Sequence, residues 1–249
     1  MSMWAIVRME LKKNIQDKGL WFWTFILPIV FIIAFVSIFS GDEKTSYKEV
    51  VTQIIPGYTI MFAFYIMISM VIAFVKDRDK GMVSRIASTP LPIRDYFIGK
   101  WIPFLLIVLI QVAVLFGFGV IVYDLPLGDP FALIMLSLSL AFIVTGWGMA
   151  LAVLVKTENM GIAMTQIIAL GGAMLGGLWL PVELMPDFMQ KISKALPQYW
   201  AIEGYKEVIL ADGTIRDILF NIGILLIAGI AGGFIALAAY PRFLRLSKN

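Results

Sequence analysis

Histidine and cysteine are both absent from the 249 residues. Ser-His-Asp and Cys-His nucleophiles are therefore excluded. The usual ligands of zinc and haem are missing too, so neither a metal site nor a disulfide is expected. What remains is ionic and amide chemistry. Charges gather in Asp77-Arg78-Asp79-Lys80-Gly81, with Arg85 following. A GxxxxGK[ST] phosphate loop is lacking, because Gly99-Lys100 is followed by Trp101, which offers no hydroxyl to magnesium. The chain is read as a non-enzyme with no catalytic residue and no bound cofactor. Three amides interrupt apolar runs: Gln111, Gln166 and Asn221. They could line a path or bond between helices, and for each alone the second use is favoured.

The elements that hold these residues are set by apolarity. Sixty per cent of the chain is hydrophobic and 15% charged, against about 25% charged in an ordinary soluble domain. A soluble chain of this length could not hide so much apolar surface. An all-α integral membrane protein is the expectation. A spanning helix needs about 20 apolar residues, and six segments qualify: 20–39, 54–75, 101–123, 130–155, 160–180 and 218–240. No Asp, Glu, Lys or Arg lies well inside them. Ion-coupled pumps usually carry such groups, so any energy for uphill movement is expected from outside the chain.

Fourteen of the 20 Lys and Arg fall in 1–19, 76–100, 156–159 and 241–249, and six in the alternate connections. The positive-inside rule then places both termini in the cytoplasm of a multi-pass plasma-membrane protein. Residues 20–39 are read as an uncleaved span rather than a signal peptide, since no small-x-small site precedes Gly41.

Three connections are informative. Residues 1–19 form an interfacial helix, with Trp4, Val7, Leu11 and Ile15 as its apolar face and Arg8 among the polar residues. In 76–100, Asp77 to Ala87 is expected as a short helix containing Gly81 and ending at Thr89-Pro90. In 181–217, Pro181, Pro186 and Pro197 punctuate two short helices, one of them carrying Trp200, which would lie on the outer interface or re-enter it. Small residues recur at Gly146/Ala150, Gly172/Gly176, Ala228/Gly232/Ala236 and Gly229/Gly233. Packing within one chain is favoured over a dimer face.

Taken together, these elements resemble the membrane subunit of ABC-2 type transporters, bacterial drug-exporter permeases included. The resemblance rests on Asp77-Arg78-Asp79-Lys80-Gly81, Ser84-Arg85-Ile86, Ser88-Thr89-Pro90-Leu91, Tyr96 and Gly99-Lys100. It also rests on Leu180-Pro181, Pro186, Phe188 and Leu196-Pro197-Gln198-Tyr199-Trp200-Ala201, and it covers essentially the whole chain. It implies one transmembrane domain over 1–249 that pairs with a second copy or a similar permease. It also implies docking on a separate cytoplasmic ABC ATPase, which carries the ATP and Mg. Asp77, Arg78, Gly81, Arg85, Thr89 and Pro90 would form the coupling element. Pro181, Pro186, Pro197 and Trp200 would belong to an outer cap. Where the family often has an acid beside the arginine, this chain has Ser84 and Ile86.

The expected function is export of an apolar or amphipathic cargo (drug, peptide or lipid-like), driven by ATP hydrolysed on the partner subunit. Membrane lipid is a further partner, and no nucleic acid is expected. The alternatives are an ATP-independent channel or secondary carrier, or a membrane scaffold that transports nothing.

Overall fold

The computed structural model describes residues 3–40, 46–89 and 91–246, and every regular element among them is helical. α1 is Met3–Gln16. Asp17 then caps the next helix, its side chain accepting from the Leu20 amide at 3.1 Å. α2 runs Lys18–Phe39 and winds as a π-helix over Phe22–Ile26. Pro28 lies just beyond; it lacks the N–H that would bond back to the Thr24 carbonyl, and the widened turn absorbs the mismatch.

α3, Tyr47–Asp79, is the axis of the bundle. Over its most apolar stretch 72% of residues are buried, against 22% in α2 and in the last helix. α4 is the short helix Met82–Ala87, and α5 is Ile93–Tyr123. α6, Pro130–Leu154, starts from an Asp129 cap. α7, Glu158–Leu175, starts from a Thr157 cap. A 3-10 turn at Val182–Leu184 leads to α8, Asp187–Ser193, and α9, Pro197–Leu210. α10 is Leu219–Leu246. α3 packs against α2, α5, α6, α7 and α9, while α10 lies along α6.

Five helices (α2, α3, α5, α6 and α10) are long and apolar enough to cross a membrane. The expected span 160–180 is instead an 18-residue helix ending at Leu175, about 27 Å long. It ends there because Gly176 and Gly177 follow, and Gly177 takes a left-handed φ of +80°. The 76–100 connection is also less open than its charges suggest. α3 continues through Asp79, and Gly81, at φ +67°, breaks the helix expected over Asp77–Ala87.

The small-residue stripes serve packing within the chain. A Cβ on Gly146 would run into the Gly229 carbonyl, and one on Gly232 into the Gly146 backbone. These positions let α6 and α10 touch along their backbones. Gly233, one turn beyond Gly229, has open space where a Cβ would lie.

Candidate functional site

At the basic end of the bundle, α1 lies across the start of α5. Ile6 and Val7 are buried, and Gly99 gives Ile6 room to seat. The buried side of α1 is Ile6, Val7, Glu10 and Asn14. Of the expected interfacial face Trp4, Val7, Leu11 and Ile15, Val7 is the residue buried in the bundle. Trp4 is 61% exposed and Ile15 65%, Leu11 is half-buried and Arg8 is exposed. The apolar residues of α1 thus largely face outward and a carboxylate faces in. At a bilayer both sides of a helix can meet apolar surroundings, so apolarity does not decide which side meets protein.

Glu10 faces inward because Lys100 waits there. The Lys100 ammonium, 0% exposed, bonds Asp77, lies 3.5 Å from the Glu10 carboxylate and donates to the Ala73 carbonyl at 3.3 Å. It also sits 4.8 Å from the centre of the Phe74 ring. Lys13 closes the cluster, 3.0 Å from Glu10 and 3.6 Å from Asp77. Partial burial alone would lower the Lys13 pKa, but the hydrogen bond and charge of Glu10, with Asp77 behind it, raise it above the usual lysine value. Two carboxylates and two ammonium groups thus knit α1, α3 and α5 together. Buried charges are tolerated in such numbers only when paired and hydrogen-bonded.

One residue on, Arg78 is 5% exposed and makes a second tie. Its guanidinium donates to the Val155 carbonyl at 3.1 Å and the Lys156 carbonyl at 2.6 Å, where α6 has just ended. Its Nε donates to Asp79 at 2.9 Å, and the group lies 5.9 Å from the Phe243 ring of α10. A cation on the terminal carbonyls satisfies groups that the helix cannot, and opposes its dipole.

Asp77 and Arg78 are therefore inside the bundle rather than on the face of a coupling helix. After the Gly81 turn, α4 buries Val83 and Ile86 and leaves Arg85 exposed. The Thr89 hydroxyl donates to the Ile86 carbonyl at 2.7 Å and closes the helix end. Pro90 lies outside the described residues. The charged and polar groups that α4 and its end offer outward are Arg85, Ser88 and Thr89.

The three amides separate. Gln111 is fully buried, with both ends of its amide unpaired among the described residues. Asn221 donates to the Trp200 carbonyl at 2.9 Å and so ties α10 to α9. Gln166 is exposed on the wall of a cavity of about 570 Å³ between α2, α3 and α7, beside Phe31, Phe35, Tyr58 and Tyr65. A second cavity, about 450 Å³, shares the walls Phe39, Ile54, Trp179 and Leu180 and carries Glu49 and Lys206.

At the far end, Pro181 precedes the 3-10 turn, Pro186 precedes α8 and Pro197 opens α9. The Trp200 indole donates to the Lys194 carbonyl at 2.9 Å and packs edge-on to Phe220. Gln53 of α3 donates to the Gly177 and Leu178 carbonyls at 2.7 and 3.2 Å, holding the turn after α7. α9 is seated inside the bundle: Tyr205 is fully buried and bonds Ser137 at 3.0 Å, and burial pushes its pKa up.

Sequence reasoning missed Glu10, Lys13 and Lys100 as a unit, and Gln53 as a tether. The spacing of Glu10 and Lys13, one helical turn apart, was the available signal for an ion pair.

A family profile described as ABC-2 type transporter matches residues 1–210. The chain is 30% identical over 170 residues to linearmycin resistance permease protein LnrN of Bacillus subtilis, a match covering 68% of this chain and 44% of that protein. It is 27% identical over 242 residues to the putative transport permease YvfS of Bacillus subtilis, covering 94% of each. It is 25% identical over 157 residues to the probable multidrug ABC transporter permease YbhR of Escherichia coli, covering 63% of this chain and 42% of that protein. The chain thus spans less than half the length of LnrN and YbhR, and nearly all of YvfS.

Proposed function

This chain belongs to the ABC-2 type transporter family, and on that premise we propose that it is the membrane permease of an ABC exporter in the plasma membrane. A separate ABC ATPase binds ATP and Mg, and a second copy of this chain or a similar permease completes the path. α7 is the sixth crossing. At about 27 Å it falls only slightly short of a hydrocarbon core of about 30 Å. With an even number of spans, both termini lie on the basic, cytoplasmic side.

The observation that carries this reading is the mounting of α4. Val83 and Ile86 seat it, Arg85 faces out, and the helices on either side of it are joined by the Asp77–Lys100 pair. A lever must be stiff where it meets the load and exposed where it is pushed. α4 docks on the ATPase through Arg85 and its neighbours. α3, 33 residues and about 50 Å long, carries the displacement from this junction to the Gln53 tether at the other end.

The cargo is apolar or amphipathic. Among the described residues the walls of the α2–α3–α7 cavity are aromatic and aliphatic, with Gln166 as the side-chain amide and no charged group. Two relatives are named for resistance to linearmycin and for multidrug transport, and an amphipathic cargo agrees with both.

Purification of the tagged chain from its native membrane in mild detergent tests the assignment. A P-loop ATPase should accompany it in stoichiometric amount. Arg85→Glu should release that subunit and abolish ATP-driven export while the permease stays folded. A chain recovered alone after cross-linking, or Arg85→Glu with normal docking and export, would overturn the reading in favour of an autonomous carrier or a scaffold.

A further inference from the structure

Beside the ionic cluster, a cavity of about 200 Å³ opens between α1 and the last turns of α3. Its walls are two helical stripes. On α1 the lining residues 10, 13 and 14 share one face, with Asp17 just beyond the helix. On α3 residues 69, 72, 73 and 76 follow an i, i+3, i+4, i+7 pattern, with Lys80 just beyond the helix.

With Lys100 behind it, this cleft gathers four ammonium groups, Lys13, Lys76, Lys80 and Lys100, against three carboxylates, Glu10, Asp17 and Asp77. Glu10 and Asp77 lie at its back and are matched by Lys100 and Lys13. The Asp17 carboxylate caps α2, accepting from Leu20 at 3.1 Å, and keeps its charge, so the cleft carries an excess of one cation. Lys76 and Lys80 remain, both exposed, and no described carboxylate lies within ion-pair distance of either. Asn14 lines the same cleft at 9% exposure, and its amide nitrogen has no acceptor among the described residues. A buried donor without an acceptor is costly, and in a native protein it marks a missing partner.

The complement of two free ammonium groups and one orphan amide donor is a group with several anionic oxygens. Its level in the membrane identifies the source. Leu20 and Ile72 line the same cleft, and Trp21 and Trp23, 44% and 56% exposed, follow directly on α2. Exposed tryptophans at the end of a span mark the headgroup layer.

We infer that the α1–α3 cleft binds the phosphate of an anionic inner-leaflet phospholipid. Lys76, Lys80 and the Asn14 amide hold the phosphate, and the acyl chains run along α2 past Leu20. The lipid straddles the helices that the Glu10–Lys100–Asp77 cluster joins, so its occupancy sets how firmly α1 is latched. This inference rests on the basic end being cytoplasmic, but its test reads lipid binding and not export.

The purified full-length chain is reconstituted in phosphatidylcholine alone or mixed with phosphatidylglycerol. Retained lipid is read by native mass spectrometry, and stability by the unfolding midpoint. Wild type should retain phosphatidylglycerol and unfold at a higher temperature in the mixture. Lys76→Gln with Lys80→Gln should retain it about thirty-fold more weakly, from the loss of two cations near an anionic surface. Asn14→Ala should be neutral in phosphatidylcholine but should lose part of the gain from phosphatidylglycerol. Lys191→Gln with Lys194→Gln, on the opposite end, should change nothing. Equal loss in that control, or unchanged retention in the Lys76/Lys80 variant, would overturn the site. If inorganic phosphate stabilises delipidated protein as well as the lipid does, the lipid assignment falls.

Discussion

Lys100→Met tests the ionic junction most directly. The wild-type ammonium is completely buried and meets both Asp77 and Glu10. Removing it alone leaves two carboxylates, with side chains 8% and 1% exposed. Lys13, its side chain 48% exposed, is the remaining described cation within reach. Breaking a buried ion pair from one side costs about 3–5 kcal/mol. Lys13 offsets part of this, so the lower figure is expected, about 3 kcal/mol or roughly a 150-fold shift in the unfolding equilibrium. The triple variant Glu10→Gln, Asp77→Asn, Lys100→Met removes the charges together. It should cost no more than about 1 kcal/mol, because no fully buried ion is left to desolvate and Lys13, its side chain 48% exposed, keeps its access to water. Equilibrium unfolding in mixed micelles measures both. A single variant within about 1 kcal/mol of wild type would refute the reasoning, since a buried unpaired carboxylate cannot be that cheap. A triple variant as damaged as the single would show that shape, and not charge, holds the junction. Where the triple variant is stable, ATP-driven transport in the same preparation tells whether the ions also transmit movement.

Arg78→Ala should destabilise the fold by about 2–4 kcal/mol, because two carbonyls at the end of α6 lose charged donors. Arg78→Lys should recover less than half of that, since an ammonium cannot span both carbonyls as the planar fork does. Gly146→Ala should cost about 1–3 kcal/mol through collision with the Gly229 backbone, whereas Gly233→Ala, facing open space, should stay within about 0.5 kcal/mol; thermal unfolding of the pair distinguishes them. The pH response of Lys13 has a definite sign. Its folded pKa lies above the free value of 10.5, so its contribution is complete below that value and is lost only as pH rises through the folded one. Unfolding midpoints between about pH 7 and pH 9 should therefore differ no more in wild type than in Lys13→Arg, which cannot deprotonate in that range.

Five of the six expected spans were legible because long apolar runs have no alternative fate in water. Their ends were less so. The helix of Asp77–Ala87 failed at Gly81, and an isolated glycine in so short a stretch is itself a break signal. Once α3 is allowed to run on to Asp79, Asp77 and Arg78 move from a solvated loop into the bundle. The inner face of α1 was illegible for a different reason. Its stripe Trp4–Val7–Leu11–Ile15 was read as the apolar face of an interfacial helix, which leaves open which residues meet protein. Lipid competes for that side here, and Lys100, far along the chain, claims Glu10.

The burial of these charges has one consequence for how the basic end works. Fourteen Lys and Arg were counted there as a single topological signal. Among them, Lys100 and Arg78 are buried structural ties, and Lys13 is half-buried in the same network. The field available to an outside partner is carried by the exposed ones, among them Arg85 on α4, Arg94 at the start of α5 and the Lys76–Lys80 pair. Arg85 and the lysine pair lie on opposite sides of the Gly81 turn. A protein partner on α4 and an anionic headgroup on α3 can thus act on the same joint without competing for the same cations. Changes to the exposed set should alter partners and leave stability nearly untouched, while changes to the buried set should do the reverse.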